Sequence, residues 1–323
     1  MPEIPFVAPF DDVAYGKSEQ VSPLIRRVVA NNASKFTYKG TGTYIIGHGD
    51  VVVVDPGPIL ETHRDALLSA IGGERVVGIV VTHCHADHSP LSAWLKDKTG
   101  APTYAFGPHG QVSEEDDGND LEGNDLEGDD LEGEIHAEHV REHVDVEFIP
   151  DIAVGDGEVF LSIANWKLTG VHTPGHTSNH LCVELDAERA LFSGDHVMGW
   201  STTVISPPDG NMTDYFASLR KVQRRGDQVL WPTHGNPVRD PQPFLKAYLA
   251  HREEREAQVL SVVTAGVSSI PAMVEQLYAN VRKELHKAAG RSVYAHLLKL
   301  IDDGRVATAN GEQPHRKGNF WRI

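Results

Sequence analysis

"VVGIVVTHCHADHSP" occupies residues 76–90, and its two halves make opposite demands on their surroundings. Residues 76–81 are apolar on both faces, as in a strand of a sheet covered by helices on at least one side. Residues 82–88 then hold three histidines and an aspartate, groups that are costly to bury unless something compensates them. In open α/β sheets the strand ends are where ligand crevices form. Imidazole and carboxylate crowded at such an end are neutralised well by metal charge. In an extended stretch alternate side chains share a direction, so His83 and His85 can face one cation while Cys84 points away. Asp87 and His88 lie a turn further on and can reach a second cation a few ångströms off.

Outward from this stretch the pattern recurs. "TGTYIIG" (41–47) and "DVVVVDPG" (50–57) are β-branched runs joined by a hairpin signal. "LETHRDALLSAIGG" (60–73) has apolar residues near helical spacing and stops at paired glycines. A helix is expected over about 90–98 and a short strand at "PTYAF". Between 146 and 235 strands are expected at "VEFI", "EVFLSI", "WKLTGVH", "HLCVELD", "RALFSGD" and "QVLWPTH", with one helix near 213–225. Residues 242–264 read as one long polar helix. "IPAMVEQLYANV", "SVYAHLLKLIDDGRV" and "GNFWRI" then predict two helices and a β-type end, a tail the size of a winged-helix module. Metal-type residues close three further strands or loops, in "TPGHTSNH" (173–180), "SGDH" (193–196) and "PTHG" (232–235).

The formal charge of −17 argues against a polyanionic partner until its distribution is considered. Residues 114–147 carry 16 of the 46 acidic residues and one of the 29 basic ones, which leaves 30 acidic against 28 basic elsewhere. That tract contains "NDLEG", "NDLEG" and "DDLEG" (119–133), and one leucine in five cannot offset the entropy of ordering the rest. It reads as a surface insertion. His136, His139 and His143 follow at helical spacing and read as part of a solvated acidic face, with an extra metal site or a lid over the pocket as the alternative. Two cysteines far apart give no disulfide framework, so Cys84 and Cys182 are expected as free thiols. The N-terminus lacks a basic start followed by an apolar stretch, and no run is long enough for a bilayer helix. A cytoplasmic protein without a membrane partner is expected.

The HxHxDH motif, with "PGH", "GD" and "TH" following in that order, resembles the metallo-β-lactamase superfamily over roughly residues 25–240. The resemblance implies an α/β fold, an αββα sandwich, here followed by a C-terminal winged-helix-like domain. By that pattern residues 1–240 would form the hydrolase domain, with the acidic insertion at about 113–145, and residues 241–323 the long helix and winged-helix-like part. It implies a first metal site of His83, His85 and His176, a second of Asp87, His88 and His234, and Asp195 bridging both. His172, four residues before His176, competes for the third position; the family uses the "PGH" histidine, which leaves His172 a structural role. His180 and His196 are read as neighbours, and Asp55 in "VVDPG" resembles a position that supports the site from behind its ligands.

Two Zn2+ ions are the expected cofactors, with iron or manganese as alternatives. The activity implied is hydrolysis of an ester, thioester, lactone or amide carbonyl by metal-bound hydroxide, with Asp87 as the catalytic residue orienting the water and weak β-lactamase activity as a side reaction. Two divalent ions outweigh two carboxylates and one hydroxide, so the pocket should favour an anionic or polarised small molecule. An aspartate at position 195 resembles the glyoxalase II, lactonase and phosphodiesterase branches; the best-known β-lactamases carry the softer cysteine there. The tail from "HREERE" onward resembles a branch with a winged helix, which keeps a single-strand-specific endoribonuclease, and so RNA as a partner, as one alternative. A nucleic-acid-binding module acting through the winged helix is the other. A flavodiiron-type redox protein is disfavoured because position 85 is His, not Glu. Cys84 has no separate base to make it a nucleophile.

Overall fold

Valine and isoleucine runs with two apolar faces must lie between two covering layers. The computed structural model, which describes residues 3–110, 144–279, 283, 286–308 and 311–323, places them there. One sheet of seven strands follows chain order: β1 (Ser18–Gln20), β2 (Ile25–Val29), β3 (Gly42–His48), β4 (Asp50–Val54), β5 (Arg75–Val80), β6 (Thr103–Ala105) and β7 (Ile152–Ala153). Pairing is antiparallel as far as β4 and parallel beyond it, where α1 (Glu61–Ile71) and α2 (Leu91–Thr99) make the crossovers. The other sheet comprises β8 (Val159–Ile163), β9 (Trp166–His172), β10 (Leu181–Leu185), β11 (Ala190–Gly194) and β12 (Val229–Pro232), with β11 and β12 parallel after α3 (Met212–Gln223).

Strand alternation distributes the apolar residues between layers. Tyr44, Ile46, Val52, Val54 and Val80 meet Leu168, Leu181, Val183, Phe192 and Trp231 between the sheets. Their neighbours Ile45, Val51, Val53 and Ile79 point the other way, onto Leu67, Ile71, Leu91 and Leu95 of α1 and α2. On the outer face of the second sheet, Val171, Cys182, Leu191 and Leu230 pack under α3 and α4 (Pro241–Thr264) through Tyr215, Phe216, Phe244 and Tyr248. This is the expected αββα sandwich. Each fully buried aliphatic or phenylalanine side chain contributes about 1.5–3 kcal/mol to holding it.

Several strand assignments differ from the sequence reading, which offered nothing at β1 or β7. "VEFI" is not a strand: Val144 makes an isolated bridge to His85, and Val146 sits in a turn with 61% of its surface exposed. Phe148 alone turns inward, against Val81 and Cys84. Conversely β2 carries no simple apolar run, because Arg26 and Arg27 interrupt it. Arg27 is nonetheless buried, its guanidinium donating to the Gly235 carbonyl and the Glu19 carboxylate. The "NDLEG" tract and His136, His139 and His143 lie outside the described residues.

The C-terminal part contains α5 (Ile270–Leu277), α6 (His286–Asp302) and the antiparallel pair β13 (Val306–Thr308) and β14 (Phe320–Arg322). Their core gathers Met273, Val293, Leu297 and Phe320 around Val259 and Val263 of α4. That helix starts at Pro241, and by its contacts it belongs to both cores. Between its two apolar ends it buries Arg252 and Arg255. Arg252 lies over the rings of Tyr215 and Tyr248 at 5.3 and 5.8 Å, and Arg255 over Tyr278 at 4.2 Å. Weakly hydrated guanidinium groups tolerate such aromatic burial. Among the described residues no helix is long and apolar enough to cross a membrane.

Candidate metal centre

Parallel pairing sets the C-terminal ends of neighbouring strands on one edge, and the chemistry-bearing residues sit there. Asp55 follows β4, His83–His88 follow β5, Asp195 follows β11 and His234 follows β12. His176 comes from the β9–β10 connection. Two backbone bonds tie the edges of the sheets together at this point, from Leu181 N to the Thr82 carbonyl and from Gly42 N to the Thr233 carbonyl, both 2.8 Å. All seven expected ligand residues converge. The donor atoms of His83, His85 and His176, of His83, His88 and Asp195, and of Asp87, His88 and His234 form three groups, each within 4.8 Å.

Hydrogen bonds behind the rings decide which nitrogen faces the centre. His88 Nδ1 donates to Asp55 at 2.9 Å, and His176 Nδ1 to the Val204 carbonyl at 2.7 Å. His234 Nδ1 donates to the Gly40 carbonyl at 3.2 Å. His83 Nδ1 lies 3.0 Å from Thr82 Oγ1, whose proton goes to Asp55 at 2.9 Å. Each of these four imidazoles therefore turns its Nε2 inward, where the neutral ring presents a lone pair. The Asp55 carboxylate also accepts from Thr82 N at 2.8 Å and Thr233 Oγ1 at 2.9 Å, and its backbone adopts φ 48° to reach them. Asp87 receives the Thr41 hydroxyl at 2.9 Å and lies 3.2 Å from His234 Nε2 and 3.3 Å from His88 Nε2.

Electrostatics sorts the cluster in two. Burial, reinforced by neighbouring imidazoles, pushes His83 well below the ordinary histidine range and His85 down to about 3. His88 and His234 are buried too, but the carboxylates beside them prevail. Asp87, Asp195 and Asp55 raise His88, and Asp195 with Asp87 raises His234 to about 10. Two buried atoms, His88 Nε2 and Asp195 Oδ1, have no hydrogen-bond partner in the protein. Polar atoms left this way need a partner, and a donor set of neutral imidazoles plus carboxylates suits a divalent transition metal. The residues fit such an ion.

The remaining candidates stand around the centre. His172 stacks on Phe106 at 3.6 Å and bonds the Ser178 carbonyl, away from the cluster. His180 Nε2 accepts from Asp195 N at 3.1 Å, and His196 packs edge-on against Tyr215. Cys84 accepts from Asn179 Nδ2 and is raised to about 11 by burial, which leaves no thiolate for nucleophilic attack. Sequence reading missed Thr41, Thr82 and Thr233 as the groups that orient the carboxylates; Thr82 and Thr233 each stand directly before a ligand histidine. It also missed the 198–204 loop, whose Met198, Trp200, Ser201, Thr202 and Val204 join Lys35, Phe36 and Thr37 around a cavity of about 60 Å³ over His85, Asp87 and His234.

The profile of the metallo-beta-lactamase superfamily matches residues 39–234, a span that includes every one of these ligand positions. The chain belongs to this superfamily. A profile of the beta-lactamase associated winged helix domain matches residues 269–313. This metallo-beta-lactamase superfamily hydrolase is 30% identical over 314 residues to a beta-lactamase-like protein 2 homolog of Caenorhabditis elegans, covering 94% of this chain and 91% of that one. An atrochrysone carboxyl ACP thioesterase of Aspergillus chevalieri is 26% identical, covering 90% and 84%. The solved beta-lactamase domain protein of Burkholderia ambifaria shares the fold with a TM-score of 0.75 at 20% identity, covering 98% and 96%.

Proposed function

We propose that this hydrolase cleaves thioesters and similarly activated carbonyl esters of small molecules, using two zinc ions. The convergence of seven ligand-type side chains, with His88 Nε2 and Asp195 Oδ1 buried and unpartnered, carries the reading. When bound, such ions supply Lewis acidity toward a carbonyl oxygen and acidify water near neutral pH. The chain's own groups do the rest. Asp87, held well below the carboxylate range by His88 and His234 in spite of burial, stays ionised and can hold the proton of an attacking water. Its carboxylate is 24% exposed toward the cavity, while His83, His88 and His234 are closed off behind it. Phe36, Met198, Trp200 and Val204 give the cavity apolar walls that suit the uncharged part of a substrate next to its reacting carbonyl. A relative named as a thioesterase over most of its length supports the preference for C–S over C–N cleavage.

Metal analysis combined with a panel of a thioester, a lactone, nitrocefin and single-stranded RNA tests this. About two zinc ions per chain, thioester turnover and only slow nitrocefin cleavage are expected. Asp87→Ala and His176→Ala should each abolish turnover. Full activity in a chelated, metal-free sample would falsify the reading, and RNA cleavage without thioesterase activity would replace it with the nuclease alternative.

A further inference from the structure

Thr203 sits beside the centre without touching it, and all its polar groups are engaged. Its hydroxyl donates to the Asp195 carbonyl at 2.8 Å, with the His196 carbonyl at 3.0 Å sharing the proton. Its N–H donates to Tyr248 Oη, and Tyr248 in turn donates to Thr203 Oγ1 at 3.1 Å. Its carbonyl accepts from Arg252 Nη2. Tyr248 and Arg252 both project from α4, are buried, and hold each other by ring-to-guanidinium contact. One residue further along, the Val204 carbonyl receives His176 Nδ1. So the backbone of one ligand candidate and the ring orientation of another both depend on a loop that α4 grips at a single threonine.

We infer that Tyr248, Arg252 and Thr203 form a clamp that positions Asp195 and His176 for metal, making the long helix a working part of the centre. These are positioning residues. The inference rests on the metal reading above, and its physical basis is that groups hydrogen-bonded behind the ligands fix tautomer and direction. Loosening the clamp lets the 201–205 segment move, so that the Val204 carbonyl no longer specifies the His176 tautomer and Asp195 loses its backbone anchor. Conservative loss of such a partner lowers metal affinity by about 10–100-fold.

The test uses the full chain and two readouts other than turnover: zinc affinity by competition with a chromophoric chelator, and the visible absorption of the cobalt-loaded protein. Thr203→Val and Tyr248→Phe should each weaken at least one zinc equivalent by about 10–100-fold and alter the cobalt spectrum. Thr203→Ser, which keeps the hydroxyl, should match the parent in both. Val259→Ala, in the C-terminal core far along the same helix, should lower the melting temperature of the metal-free protein without changing affinity. Parental affinity and spectrum in Thr203→Val overturn the clamp, as does an equal loss of affinity in Val259→Ala. Should Tyr248→Phe not fold, the contrast of Thr203→Val with Thr203→Ser decides alone. A parent that takes up no metal overturns the metal reading and the clamp together; a parent that binds zinc no more tightly than its variants overturns the clamp only.

Discussion

Asp55 shows how much of the centre rests on one carboxylate. It accepts four hydrogen bonds, from Thr82 N, Thr82 Oγ1, His88 Nδ1 and Thr233 Oγ1, and so joins three strand ends. Asp55→Ala leaves those donors buried without an acceptor, at about 1–3 kcal/mol for each group that finds no water. Calorimetry should show several kcal/mol of lost stability together with weakened zinc uptake. His88 and His234 add a pH dependence. Burial opposes their charge, but the adjoining carboxylates raise both, so the metal-free protein holds protons there at neutral pH. Metal needs the neutral rings, hence zinc affinity should rise with pH by about tenfold per unit for each proton displaced. Isotherms at pH 6, 7 and 8 check the slope. His63, behind Asp55 and 2.9 Å from Thr43 Oγ1, works in the opposite sense: burial lowers it from the ordinary 6.5 to about 4. Below pH 6.5 the unfolded chain takes up this proton while the folded one does not, so stability falls from pH 6.5 down to about 4 and then levels, by roughly 3 kcal/mol in all. His63→Gln should flatten that part of the melting profile. At this scale the sequence was most legible where a residue type has one chemistry to offer, as in His83, His85 and His88. The threonines gave no signal because their role is set by what the fold places opposite them.

Elements were legible where periodicity and burial coincide. The apolar runs of β3, β4 and β5 satisfy two layers at once, and each read as a strand. β2 did not, since Arg26 and Arg27 interrupt its apolar run and Arg27 is buried against Gly235, far away in sequence, and "VEFI" misled because an alternating pattern cannot report whether a neighbouring strand exists. α4 read correctly as a helix and incorrectly as merely polar, because aromatic faces shelter its arginines. A very tight approach lies at the turn carrying His176. Gly175 adopts φ 133°, and a Cβ there would stand 2.4 Å from Tyr215 Cα in the first turn of α3. Gly175→Ala must push that turn off the helix. A loss of about 3 kcal/mol or more is expected, overpacking and backbone strain acting together, along with loss of zinc from the site His176 serves. Denaturant unfolding and metal content of the variant measure both.

At the scale of the whole molecule, ligands drawn from distant points of the chain make metal a cross-link of the native state. Zinc at a thousandfold over its dissociation constant adds about 4 kcal/mol, which for a chain of this size raises the melting midpoint by on the order of 10 °C over the chelated protein. Scanning calorimetry with and without chelator measures it. The αββα order was legible through the resemblance that the HxHxDH, PGH, GD and TH motifs carry; the two-faced apolar runs alone asked only for a sheet covered by helices on at least one side. The sharing of α4 was not, since no sequence period records which of two cores a helix faces. That sharing has a practical consequence for anyone cutting the gene. A fragment stopping at residue 240 would strip Phe244, Leu245 and Tyr248 from the core of the hydrolase part, and one stopping at Thr264 would still lack Ala295 of that core and leave Val259 and Val263 uncovered, so a version with an intact interior must keep α6 as well. Natural recombination that exchanges the distal unit between relatives would face the same constraint, and should place its joints inside or beyond this rod and not ahead of it.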